Sequence, residues 1–158
     1  MKTIFKKTLY YKILFDPRCG FRTGAIIKKV QDVLQDNRGW KRMGYNLRMK
    51  QDDNNVDFVI YFTLESYIKR KCNFTGLSCA DLDNDIIYIN ENRWRRGSTA
   101  SKLNLDDYRT YVINHEVGHI LGRGHAKCGN RNTRVPVMVQ QTLGIHNCKP
   151  NVWPLRWE

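Results

Sequence analysis

The chain has 158 residues, 41% of them hydrophobic and 27% charged, and no Pro/Gly/Ser-rich linker, low-complexity tract or internal repeat divides it. A chain of this length buries about 70% of its unfolded surface, so one domain spanning 1–158 is expected, and no run is long and apolar enough to cross a bilayer. Lys and Arg number 27 against 15 Asp and Glu, a net charge of +12. Such a surface attracts polyanions, although no helix-turn-helix, RNA-binding sheet or zinc-finger spacing selects one of them, and a solvated basic surface without a dedicated partner is equally compatible with the count.

Residues Met1 to Phe15 carry Lys2, Lys6, Lys7 and Lys12 among their apolar positions, which leaves no signal-peptide core there. Leu9, Tyr11, Ile13 and Phe15 alternate with other residues and predict a half-buried strand ending at Asp16-Pro17. Ile26, Ile27, Val30, Val33 and Leu34 recur at helical spacing, with Thr23 as the expected N-cap and a close near Asn37-Arg38-Gly39. Tyr45, Leu47 and Met49 mark a second strand, and the dense apolar run from Val56 to Leu64 predicts a third, covered on both faces. Asp81, Asp83 and Asp85 alternate as calcium ligands can. The loop lacks the glycine and distal glutamate of an EF-hand, so a turn before a fourth strand, Ile86 to Asn90, is the reading taken. Asn104 then caps a helix whose first turn holds Asp106 and Asp107, where the helix dipole favours negative charge. Strand, helix, two or three strands and a helix make an α+β chain.

The last helix runs into His115-Glu116-Val117-Gly118-His119-Ile120-Leu121-Gly122-Arg123-Gly124-His125. At about 100° per residue His115 and His119 lie on one face a turn apart, so both imidazoles reach one cation. Catalytic zinc takes three protein ligands and keeps one position open, and His125 supplies the third if the chain folds back after Gly122, which accepts the left-handed conformation that ends helices. Glu116, beside a ligand, is placed to take a proton from a water that the metal acidifies. Five fixed identities in a chain this short arise by chance on the order of once in 10⁵ sequences, which sets aside the reading of an ordinary amphipathic helix.

The string H-E-x-x-H-x-x-G-x-x-H resembles the signature of the metzincin clan of zinc metalloproteases. That clan also carries a methionine in a tight turn beneath the metal, and Val135-Pro136-Val137-Met138-Val139 offers Met138 as the matching residue. The segments Tyr111-Val112-Ile113-Asn114-His115, Val137 through Gly144 and Cys148 through Pro154 are similar to an uncharacterised metzincin-like family whose members are secreted or membrane-tethered. Ala126 follows the third histidine where the well-known metzincins carry family-specific residues, so the subfamily stays open. The resemblance implies a twisted mixed sheet of about four to five strands with two main helices. It also implies a division into an N-terminal subdomain (1–122) and a small C-terminal one (123–158), with a cleft between them and Ile86 to Asn90 as the sheet edge that an extended peptide pairs with. The implied activity is zinc-dependent endopeptidase, with Zn2+ on His115, His119 and His125, Glu116 as general base and Met138 structural. The substrate is then a peptide or protein, and Arg93-Trp94-Arg95-Arg96 after the edge suggests acidic side chains. Two other readings stand beside it: a zinc-containing binding or structural module of the same fold with a polyanion-attracting surface, and hydrolysis of a non-peptide bond.

Cys72 and Cys79 flank a short loop, and Cys128 and Cys148 bracket the Met138 segment, so both pairs are candidate disulfides of an oxidising or extracellular setting, with reduced buried thiols as the alternative. Pro17-Arg18-Cys19-Gly20 is similar to the cysteine switch of matrix metalloprotease propeptides but follows the first strand, where a plain loop cysteine is the simpler reading. His146 is the fourth histidine and is assigned a structural role.

Overall fold

Side-chain alternation gives strand β1 (Lys7–Phe15) its two faces, Leu9, Tyr11 and Ile13 buried on one and Tyr10, Lys12 and Leu14 on the other. The computed structural model describes residues 6–158, so the part of the leader reading that rests on residues 1–5, Lys2 included, lies outside the described residues. β1 lies inside the sheet: it pairs in parallel with β2 (Tyr45–Met49) on one side and β3 (Phe58–Thr63) on the other. β3 pairs in parallel with β5 (Ile86–Asn90), and β4 (Cys79–Asp81) pairs antiparallel with β5, giving the order β2-β1-β3-β5-β4.

The expected edge strand is therefore corrected. Ile86–Asn90 lies inside the sheet with Ile87, Tyr88, Ile89 and Asn90 all buried, and the edge is β4. The chain leaves that edge for β5 through a hairpin whose turn is closed by Asp81, its Oδ1 accepting from the backbone N–H groups of Asp83 (3.2 Å) and Asn84 (3.3 Å). The alternating aspartates serve this turn.

One face of the sheet is covered by α1 (Thr23–Gln35) and α4 (Leu105–Ile120). Ile26, Val30, Val33 and Leu34 from the first and Tyr108, Tyr111, Val112 and Val117 from the second join Phe58, Ile60, Phe62, Ile87 and Ile89 in the main core. The other face is covered in part by α2 (Glu65–Cys72), where Ile68 and Tyr67 pack on Tyr61 and Tyr88. β3 thus has cover on both faces. Thr23 is the first helical residue of α1 and not its cap. The chain turns at Gly20 (φ 64°) and enters the helix through Arg22, which makes no side-chain capping bond. α2 and the six-residue α3 (Glu91–Arg96) bring the α-helices among the described residues to four, beside the two main helices expected.

Beyond Gly122 the chain has no strand or α-helix and is held by crossing backbone bonds, Ala126 N–H to Met138 O (3.0 Å), Val135 N–H to Lys149 O (3.0 Å) and Lys149 N–H to Thr133 O (2.8 Å). Val135, Val139, Ile145 and Cys148 form a small core of its own. Disulfides join Cys72 to Cys79, tying the end of α2 to the edge strand, and Cys128 to Cys148. The second closes a loop of 20 residues, which stabilises by about 3 kcal/mol in the chain-entropy account. Two such bonds are consistent with an oxidising environment. Among the described residues no helix is long and apolar enough to cross a membrane.

Candidate metal centre

α4 is buried almost all round from Tyr108 to Gly118, as a helix crossing a core must be. Its start is fixed by Asn104, whose Oδ1 accepts from the Asp107 N–H (2.8 Å). Its end comes at Gly122, where φ of 91° turns the chain back, with Gly122 N–H on His119 O (3.0 Å) and Arg123 N–H on Gly118 O (2.9 Å). This reversal returns His125 to the helix. The ring centroids of His115, His119 and His125 lie 4.7–5.4 Å apart, and one nitrogen from each falls within 4.8 Å of the others.

Two of the rings are held by main-chain oxygens. His115 Nδ1 donates to Val137 O (2.9 Å) and His119 Nδ1 to Arg123 O (2.8 Å); since a carbonyl only accepts, both Nδ1 atoms carry the proton and both Nε2 atoms keep a lone pair. Burial pushes the His115 pKa down to about 3 and lowers those of His119 and His125, so all three imidazoles are neutral at pH 7, the form that binds a cation. Three neutral nitrogen donors on one point suit a metal ion, and the residues fit one.

Glu116 is 4% exposed, its Oε2 has no hydrogen-bond partner, and burial raises its pKa to about 8. Met138 lies in a turn closed by Val139 N–H on Pro136 O (3.1 Å) and is buried against Gly118 of α4. Tyr111 ties the next residues to the helix, its hydroxyl donating to Val139 O (3.2 Å) and accepting from Gln141 N–H (2.9 Å).

The three histidines and Glu116 open on a cleft of about 290 Å³ whose opposite wall is the edge strand, Cys79 and Ala80, flanked by Phe74, Leu77 and Leu82. Sequence reasoning missed this wall because a three-residue strand of Cys, Ala and Asp carries no alternation; the half-exposed Phe74 and Leu82 on either side of it were the available signal. The Arg93–Arg96 cluster does not line the cleft. Arg93 donates to Gly76 O (2.7 Å) and Gly97 O (3.3 Å), and Arg95 to Glu91 (3.1 Å) and Cys19 O (2.6 Å). Cys19 is free and buried in the turn after β1, also outside the cleft lining, and His146 is exposed on the C-terminal segment.

The model of one family, described as "Protein of unknown function (DUF3152)", matches residues 16–154. No curated protein matches the chain. Among solved structures, that of myroilysin is similar, at 15% sequence identity with a TM-score of 0.49 over 78% of this chain and 52% of that one, so this chain spans about half the length of that protein.

Proposed function

The chain belongs to the DUF3152 family, and we propose that it holds one zinc ion on His115, His119 and His125 and uses it to hydrolyse peptide bonds, with Glu116 as general base. The observation that carries the metal is the cluster itself: three neutral imidazoles within 4.8 Å, two of them already turned so that Nε2 is the free atom. Three nitrogens with no thiolate and no fourth protein donor among the described residues are the donor set of a catalytic zinc, where a structural zinc is closed by four. When bound, the ion supplies Lewis acidity, polarising a carbonyl and lowering the pKa of water.

The chain's own residues supply the rest. Glu116 lies beside a proposed ligand and lines the cleft with Oε2 unpartnered; the charge of a bound cation would offset the burial that raises its pKa and leave it ionised, in position to accept a proton from water and return it to a leaving amine. The edge strand β4 across the cleft presents free backbone groups on which an extended peptide can pair, which favours a peptide over a compact substrate. Met138, packed on Gly118, supports the helix that carries two ligands. In this reading residues 1–122 and 123–158 act as the two subdomains of a metzincin-like fold, with the C-terminal one supplying His125 and the turn at Met138.

A second reading has its own support: the histidine cluster is complete without Glu116, and a chain of charge +12 has only six ion pairs among its described residues. That suits a metal-holding module with a polyanion-attracting surface and no turnover, and the metal-holding half of the proposal is common to both. Zinc content and cleavage of a mixed peptide library, measured on the parent and on Glu116→Gln, separate them. The expected result is equal zinc in both, with cleavage by the variant lower by about 10²-fold or more. Zinc without cleavage by the parent selects the module, and absence of zinc binding overturns both readings.

A further inference from the structure

We propose that Glu158 is a positioning residue for the metal centre, holding the peptide group that orients His115 through its carboxylate and the residue that orients His119 through its main-chain oxygen. The inference rests on the metal site proposed above and extends it to a residue 33 positions beyond the last ligand.

The bonds form two connected paths. Glu158 Oε1 accepts from Met138 N–H (3.0 Å), and Oε2 accepts from Val137 N–H (3.0 Å) and Leu155 N–H (2.6 Å). The Met138 N–H and the Val137 carbonyl belong to the same peptide group, and that carbonyl accepts from His115 Nδ1 at 2.9 Å. A carboxylate therefore grips one end of a peptide whose other end holds the ligand ring. On the second path the main-chain oxygen of Glu158 accepts from Arg123 Nε (2.9 Å), and the carbonyl of Arg123 accepts from His119 Nδ1 (2.8 Å). Arg123 is braced further by Tyr45 Oη (2.7 Å) and Leu121 O (2.7 Å), to both of which its Nη1 donates.

A ligand histidine commonly donates its second nitrogen to a carboxylate, which fixes the tautomer and raises the basicity of the coordinating atom. Here a peptide group stands between the two. Hydrogen bonds in such a chain polarise one another, so a negative charge on the N–H end strengthens the carbonyl as an acceptor for the imidazole. The carboxylate has no Lys or Arg salt-bridge partner among the described residues, and its charge is directed into backbone N–H groups that lead to the ligand. His125 has no carbonyl partner of this kind among the described residues and serves as the internal control.

The test compares the parent with Glu158→Gln, which keeps the size and removes the charge, and with Trp157→Ala, an exposed neighbour. Zinc affinity is read by competition with a chromophoric chelator, and the Nδ1–H signals of the histidines by long-range 1H–15N spectra of the metal-free protein. Glu158→Gln is expected to bind zinc about 10- to 100-fold more weakly and to lose or broaden the His115 Nδ1–H signal while that of His119 persists. Trp157→Ala should match the parent in both. Parental affinity in Glu158→Gln, or equal disturbance of all three histidines, overturns the proposal. Circular dichroism melts confirm that the variant is folded. If the parent binds no zinc, the metal reading fails while the metal-free spectra still decide whether Glu158 orients His115.

Discussion

Asp16 takes a carboxylate into the interior at the end of β1, 3% exposed, and is kept ionised there. The Arg18 side chain donates to it through Nε (3.0 Å) and Nη2 (2.7 Å), with the Arg18 N–H and the Thr63 hydroxyl adding to the effect, and together they hold its pKa well below the usual carboxylate range. Because the folded value lies below the unfolded one of about 3.9, the stabilisation is present above pH ~4 and is lost as pH falls toward the folded value. In urea unfolding across pH, the deficit of Asp16→Asn relative to the parent should be constant above pH ~5 and shrink below ~4; a deficit that widens on acidification would refute the assignment. Three residues on, burial beside the charge of Glu91 pushes the Cys19 thiol up to about 11, so little of it is thiolate at pH 7, and its place outside the cleft gives the Pro-Arg-Cys-Gly resemblance no route to the histidines. At this scale the sequence was informative where chemistry is local: the histidine string and Gly122 lie within one turn and its reversal. Glu158 was not legible, because the partners that tie it to the histidines are backbone groups of Val137 and Met138, some twenty positions away, that carry no mark of their own.

Among the elements, α4 shows how closely one helix is fitted to what lies behind it. Gly118 sits in the last turn of α4, where alanine would ordinarily gain at most about 1 kcal/mol from helix propensity. A Cβ there would collide with the buried Met138 sulfur and stand 2.9 Å from Trp40 Cζ2, on a ring anchored by its Nε1–H to Asn114 O (3.0 Å). The packing term should therefore win, with Gly118→Ala destabilised by about 1–3 kcal/mol in denaturant unfolding; a variant more stable than the parent would show that the helix and Met138 are not in contact. The same scale explains which elements the periodicity found. β1, β2, β3 and β5 each alternate or run apolar, and α1 and α4 show clear caps or stripes. α2 buries only Ile68 among charged neighbours, α3 is six residues, and β4 is three, too short for any period to register.

For the molecule as a whole, strand order was beyond the sequence because every parallel pair joins strands separated by intervening elements, and only the β4–β5 hairpin is local. The charge of +12 likewise does not converge on the cleft, whose edge-strand wall is flanked by apolar side chains and whose lining holds no Lys or Arg, while Arg93 and Arg95 are turned onto backbone carbonyls and Glu91. The histidine cluster behaves differently from the sheet. His115, His119 and His125 fall within eleven consecutive residues, joined by a reversal at Gly122. Closing so short a span costs little entropy, so a denatured chain keeps all three imidazoles within reach of one cation. A zinc ion held as proposed would then have affinity for the unfolded ensemble as well as the native state, and the two affinities would oppose each other in the folding equilibrium. At a zinc concentration 100 times the native Kd, the measured gain in unfolding free energy should fall short of the roughly 2.7 kcal/mol that binding to the native state alone would give, and a full gain would mean that the denatured chain holds no site.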